Sequence, residues 1–177
     1  MSNKQALREL QTRLAERMQQ VRTEAATVSW LAVQCAGQGL LFQLKQAGEI
    51  FELGHVLPVP HTQTWLQGVV NLRGGVCTAI DLAGFLGLQR PDGAAPSDHA
   101  RLVAFNSSLG INAALSVDSL EGLRHAADMQ RLDDDDAGAE NRPAFAAARW
   151  RDAEGRVWQE IDLMALSRQP EFLGVAA

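Results

Sequence analysis

Residues 65–88, WLQGVVNLRGGVCTAIDLAGFLGL, admit few folds. Side chains alternate along a β-strand, so Leu66, Gly68, Val70 and Leu72 are expected on one face of a first strand. Gly74-Gly75 offers the positive φ angles that a two-residue hairpin turn demands. The chain returns with Val76, Thr78 and Ile80 on one face and Cys77 and Ala79 on the other. Asp81 then stands at a helix N-cap, its carboxylate free for the first-turn amides, and Leu82, Phe85 and Leu86 follow at helical spacing. Arg73 is the odd residue, a permanent cation at the lip of an apolar hairpin.

The pattern echoes itself. Gly74-Gly75-Val76 with Ile80-Asp81-Leu82 lines up with Gly155-Arg156-Val157 and Ile161-Asp162-Leu163. A weaker echo sets Gly39-Leu40 through Leu44 against Gly110-Ile111 through Leu115. Two related halves, each with two hairpins, are the simplest reading. At 46% hydrophobic residues the chain is globular rather than disordered, and a net charge of −5 argues against a nucleic-acid footprint. No apolar run approaches the ~20 residues needed to span a bilayer, and the first residues lack a signal-peptide core. Cys35 and Cys77 lie in separate strands without metal or redox spacing, so reduced core thiols in a cytoplasmic protein are expected.

Taken in order, Asn3 to about Ala26 reads as an amphipathic helix with the stripe Leu7, Leu10, Leu14, Met18 and Val21. Packing on its own domain is the plain role for such a stripe, and docking to a partner or a second copy the sharper one. Strand periodicity starts at Trp30. A first hairpin turns at Gly37-Gln38-Gly39, Ala47 to Leu53 continues as strand or short helix, and His55 to Thr64 is a proline-marked loop. Gln89 to His99 reads as a connector between the halves. Strands from Arg101 and Ile111, an acidic loop from Asp133 to Pro143, and a last hairpin around Gly155 complete the domain. This divides the chain into a helical extension (1–29), a domain (30–170) and a tail (171–177).

Catalytic and metal chemistry find no foothold. His55, His61, His99 and His125 show no metal spacing, and the Asp133–Asp136 run lacks the glutamate an EF-hand needs. Arg73-Gly74-Gly75 joins strands instead of opening a helix, which is weak for a phosphate loop. Asp81 and Asp162 could in principle share acid–base work, yet capping explains both. No catalytic residue, metal or cofactor is expected.

The central residues resemble the CheW-like domain, the adaptor fold of bacterial chemosensory arrays. The matching residues are Gly68, Asn71-Leu72-Arg73-Gly74, Ile80-Asp81-Leu82 and Leu86-Gly87. Glu49-Ile50 and Pro60 match upstream, and Val117-Asp118-Ser119 and Gly155 to Leu163 match downstream. The chain departs from the family at Thr78, commonly proline, and at Ala47 and Ala79, commonly valine. The resemblance implies a mainly β fold of two SH3-like five-stranded barrels, partly intertwined, with short helices after the hairpins. It implies a non-catalytic adaptor joining chemoreceptor tips to a CheA-type histidine kinase, without nucleic acid or membrane insertion. Arg73 would be the main polar contact, with Ala47, Glu49 and Gly68 lining the same groove and Asn71 beside them in the motif. The residue-based reading leaves Arg73 a second role, bonding carbonyls of its own hairpin. The N-terminal helix and the Trp-Leu-x-Gly-Val entry resemble the twitching-motility (PilI-type) branch. The alternative is a small-molecule sensor or enzyme with its site between the halves.

Because strand periodicity starts only at Trp30, a chain beginning at Ala26 should still unfold in one cooperative transition, measured by circular dichroism. Loss of that transition would place Leu7, Leu10 and Leu14 in the core.

Overall fold

The computed structural model describes residues 28–90, 99–132 and 142–177. The expected N-terminal helix, most of the 89–99 connector and nearly all of the acidic loop lie outside the described residues.

Among the described residues eleven strands carry the fold: β1 (Ser29–Cys35), β2 (Gln38–Gln43), β3 (Ala47–Glu52), β4 (Leu66–Leu72), β5 (Gly75–Asp81) and β6 (Arg101–Phe105), then β7 (Ala113–Val117), β8 (Ser119–His125), β9 (Gln130–Leu132), β10 (Ala146–Arg151) and β11 (Val157–Ile161). Short helices follow two of the hairpins, α1 (Leu82–Phe85) and α2 (Leu163–Leu166), and α3 (Pro170–Leu173) comes last. One sheet runs β8-β1-β2-β11-β10-β9 and the other β3-β6-β7-β5-β4. The expected five-and-five count becomes six and five, since the three-residue β9 adds an edge to β10.

The sheets are not consecutive halves. Each takes a hairpin from either end of the repeat: β1-β2 joins β10-β11 through a parallel β2–β11 pair, and β6-β7 joins β4-β5 through a parallel β5–β7 pair. The 89–99 segment therefore runs between β5 and β6, two strands of one sheet, and not between the sheets. The weaker echo shifts by two residues. Phe42 faces Ile161 as Leu115 faces Ile80, so Phe42 and not Leu44 is the counterpart of Leu115.

The largest core lies between the sheets, where Leu31, Val33 and Phe42 from one meet Ile80, Val103 and Leu115 from the other. Each such fully buried side chain is worth about 1.5–3 kcal/mol. Each sheet also encloses a smaller cluster on its other face, Val70, Cys77, Ala79, Leu102 and Ala114 in the five-stranded one. In the six-stranded one Trp30, Ala32, Leu41 and Trp158 gather around the buried Glu160, whose carboxylate accepts N–H bonds from Trp30 (3.0 Å), Trp150 (2.9 Å) and Gln43 (2.7 Å). Both cysteines are free and buried, and burial, followed by the nearby Asp118 charge, pushes the Cys35 thiol up to about 12.

Four local expectations are corrected. The β4–β5 turn is centred on Arg73 (φ 49°) and Gly74 (φ 84°), because Leu72 pairs with Gly75. That is one residue earlier than Gly74-Gly75. Leu66 pairs with Ile80 but Gly68 with Ala79, so the extra residue Gln67 bulges and turns Leu66 to the inter-sheet core, away from the face of Gly68, Val70 and Leu72. Asp81 occupies the N-cap of α1 without capping it, its carboxylate taken by Arg90 at 2.8 and 3.0 Å. The 171–177 segment is no loose tail, since Phe172 is buried against Trp65, Phe85 and Phe105, and Ala176 bridges to Thr62.

Gly68 (φ 141°) lies under the backbone of Leu57, which bonds Val69 in both directions at 2.8 and 2.9 Å. A Cβ there would collide with the Leu57 carbonyl oxygen. Gly68→Ala should therefore cost at least about 2 kcal/mol in urea unfolding, from backbone strain plus overpacking. Gly155→Ala, also at positive φ but with nothing within 4 Å, should cost only about 1 kcal/mol.

Candidate functional site

The site is built where the five-stranded sheet curls until its two edge strands, β3 and β4, approach each other. Asn71 Oδ1 accepts the Gly74 N–H at 2.8 Å and so closes the turn that holds Arg73 in the left-handed region. From that tip the Arg73 fork reaches across to β3. Its Nε lies 3.0 Å from Glu49 Oε2, and its Nη1 donates to Glu49 Oε1 at 3.1 Å. The guanidinium carbon sits 6.0 Å from the Phe51 ring centroid, at the outer range of a cation–π contact.

Both partners are largely in water, with side chains 76% and 54% exposed. An exposed pair is worth about 0–1 kcal/mol, so it sets direction more than stability. The second role considered for Arg73, bonding its own hairpin's carbonyls, is not the one taken: the fork faces another strand.

A groove of about 620 Å³ opens beside the pair, bordered by Ala47, Glu49, Arg73, Val76, Phe105 and Ile111. Three expected site residues thus meet around one depression: Ala47, Glu49 and Arg73. Gly68 is buried under Leu57 and Asn71 holds the turn, and neither lines the groove. Val76, an apolar side chain 68% exposed, was missed. Its signal lay in the alternation of β5, which turns Val76 away from Cys77 and Ala79.

Arg90 was missed as well. It lies between Asp81 (2.8 Å) and Asp118 (3.3 Å), with its side chain only 14% exposed, and Asp118 Oδ2 accepts the Ala36 N–H at 2.6 Å. Hydrogen bonds to Asp81 above all hold its proton more firmly than usual, against the opposing effect of burial. This cluster is a structural tie, and it occupies Asp81. Asp162, at the matching position, accepts the Ala165 N–H at 3.0 Å and the Gln46 amide at 3.0 Å. Among the described residues no group of three His, Cys, Asp or Glu side chains could hold a metal ion. Among them, too, no helix is long and apolar enough to cross a membrane.

A family model for the CheW-like domain matches residues 29–171. Protein PilI of Pseudomonas aeruginosa is 29% identical over 104 residues, 58% of this chain; the match spans about 56% of that relative's length. A crystal structure of the scaffolding protein TtCheW from Thermoanaerobacter tengcongensis superposes with a TM-score of 0.64 at 17% identity, covering 78% of this chain and 92% of that one. This last likeness is one of fold.

The two arginines should separate in denaturation experiments. Arg73→Ala should shift stability by less than about 1 kcal/mol, less still at high salt. Arg90→Ala removes the guanidinium that bridges Asp81 and Asp118 and should cost about 3–5 kcal/mol.

Proposed function

Because the chain belongs to the CheW-like domain family, we propose that it is a non-catalytic cytoplasmic adaptor that couples chemoreceptor tips to a CheA-type histidine kinase. The observation that carries the reading is the Arg73 fork, aimed by Glu49 across two strand edges and standing beside a groove of mixed lining with the exposed Val76 at its border. The pair lies in solvent next to the exposed Val76, which suits a protein contact. A receptor helix bundle offers apolar ridges for the groove and carboxylates or carbonyls for the guanidinium. The likeness to Protein PilI supports a twitching-motility output over a flagellar one.

The test pairs stability with coupling. Arg73→Glu places two carboxylates side by side in water, which should change stability by no more than about 1 kcal/mol. At a receptor contact it replaces a charge-assisted bond with repulsion, a loss of about 2–5 kcal/mol and so at least tenfold in affinity. Co-sedimentation with receptor and kinase should fall accordingly. The double variant Arg73→Glu with Glu49→Arg restores an internal pair but not the cation at the tip, and should stay defective. Recovery of coupling in the double variant, or unchanged sedimentation in the single one, would remove Arg73 from the partner contact.

A further inference from the structure

A second cleft, of about 610 Å³, opens between the two sheets and shares no lining residue with the Arg73 groove. Leu40, Phe145 and Ile161 line it from the six-stranded sheet's side and Trp65 and Phe85 from the other, and Glu171 stands among its few polar groups. Open aromatic clefts of this kind are what a soluble domain covers. Two of its rings are already committed to one another, with Trp65 and Phe85 edge to face at 5.2 Å, so the walls are set before anything enters.

The geometry points to an occupant from this same chain. We infer that the amphipathic segment 3–26 seats its apolar stripe in this inter-sheet cleft. Leu7, Leu10, Leu14, Met18 and Val21 would run about 21 Å along one side of a helix, at about 1.5 Å per residue. At about 100° per residue, Arg13 and Arg17 flank this stripe on one side and Lys4 and Arg22 on the other, Glu9 and Glu16 point away, and Glu24, on the Arg13 side, comes after the last stripe residue. A stripe fringed by cations fits an apolar floor in an acidic body, since long basic side chains lay their stems on the rim and keep their charges in water. The body is acidic: the segment carries five Lys and Arg against three Glu, and the remainder eleven against eighteen Asp and Glu.

The reach is sufficient. Trp30 pairs with Gln43, and Leu40 of the cleft wall lies three residues along β2, about 10 Å away at a strand's rise per residue. The stripe ends at Val21, so with Arg22 as the last seated residue, residues 23–28 can span up to about 20 Å when extended, enough to reverse direction. Tethering also gives the segment an effective concentration on the order of millimolar, so a modest apolar contact suffices.

Hydrogen exchange of the full chain at low micromolar concentration tests this. Amides of residues 7–21 should exchange at least tenfold more slowly than those of an unstructured peptide. Leu10→Glu with Leu14→Glu should abolish that protection and speed exchange at Leu86–Leu88 and Phe145–Ala146. A disulfide between Leu14→Cys and Gln38→Cys should form within one chain and run as a monomer on a non-reducing gel. Four outcomes would overturn the assignment: no protection in the unsubstituted chain, an unchanged cleft in the variant, a disulfide-linked dimer, which would make the occupant a second copy, or protection only with anionic phosphatidylglycerol vesicles, which would make it a membrane surface.

Discussion

The fold depends on two places where the chain crosses from one sheet to the other, and each is tied to an aspartate that ends a parallel-paired strand. Between β2 and β3 the crossing residue is Gln46. Its amide donates to Asp162 at 3.0 Å, and its carbonyl oxygen accepts the first α2 amide, of Leu163, at 2.9 Å. Between β7 and β8 it is Asp118, which faces Asp81. Two carboxylates cannot close that tie, so Arg90 comes between them as the third member. A neutral amide bonding a carboxylate directly and a guanidinium bridging two carboxylates are two solutions to one geometric demand. Without these ties the parallel pairs, which join residues far apart in sequence, would have only apolar burial to hold their register. Apolar burial is non-directional.

The sequence carried the elements better than their assembly. Strand alternation and glycine turns located most of the hairpins, since both signals are local. The exchange of hairpins between sheets is non-local, and no period in the chain records which strand lies beside which. Errors of one residue have equally physical causes. Gln67 bulges and reverses the face of Leu66, and Asn71 caps the turn so that Arg73, not Gly75, takes the left-handed position. Gly39 read as a turn residue, yet a Cβ there would come within 2.7 Å of the Trp158 ring, so it is small in order to admit an indole from another part of the chain. Phe172 looked like part of a tail because a single aromatic near a terminus carries no periodicity.

The candidate site divides the same way. Arg73 was visible as a cation out of keeping with its hairpin, and Asn71 as its neighbour in the motif. That Glu49 would meet Arg73 required the sheet to curl, bringing together its first and last strands in spatial order. Gly68 has a sufficient reason in backbone geometry alone: the Leu57 backbone lies where its side chain would be. Val76 required knowing which face of β5 is left uncovered.

The energetics of the site suggest how its parts share the work. Glu49 holds Arg73 with two bonds, but in water the pair is worth about 0–1 kcal/mol, so in the proposed contact exchanging the internal carboxylate for one on a partner would change the electrostatic balance little. Under the proposed reading, affinity would then come mainly from removing apolar surface from water, which Val76 with Ile111 at the edge of the groove would supply. At such a contact the pre-aimed fork would contribute direction and reject misaligned partners, because a guanidinium left unpaired under a covering surface is costly. Holding Arg73 in the left-handed region also removes freedom that binding would otherwise have to remove. The strained turn and the weak pair rest on the cores beneath them, and together they hold the exposed cation of the tip in one position, as the proposed contact requires.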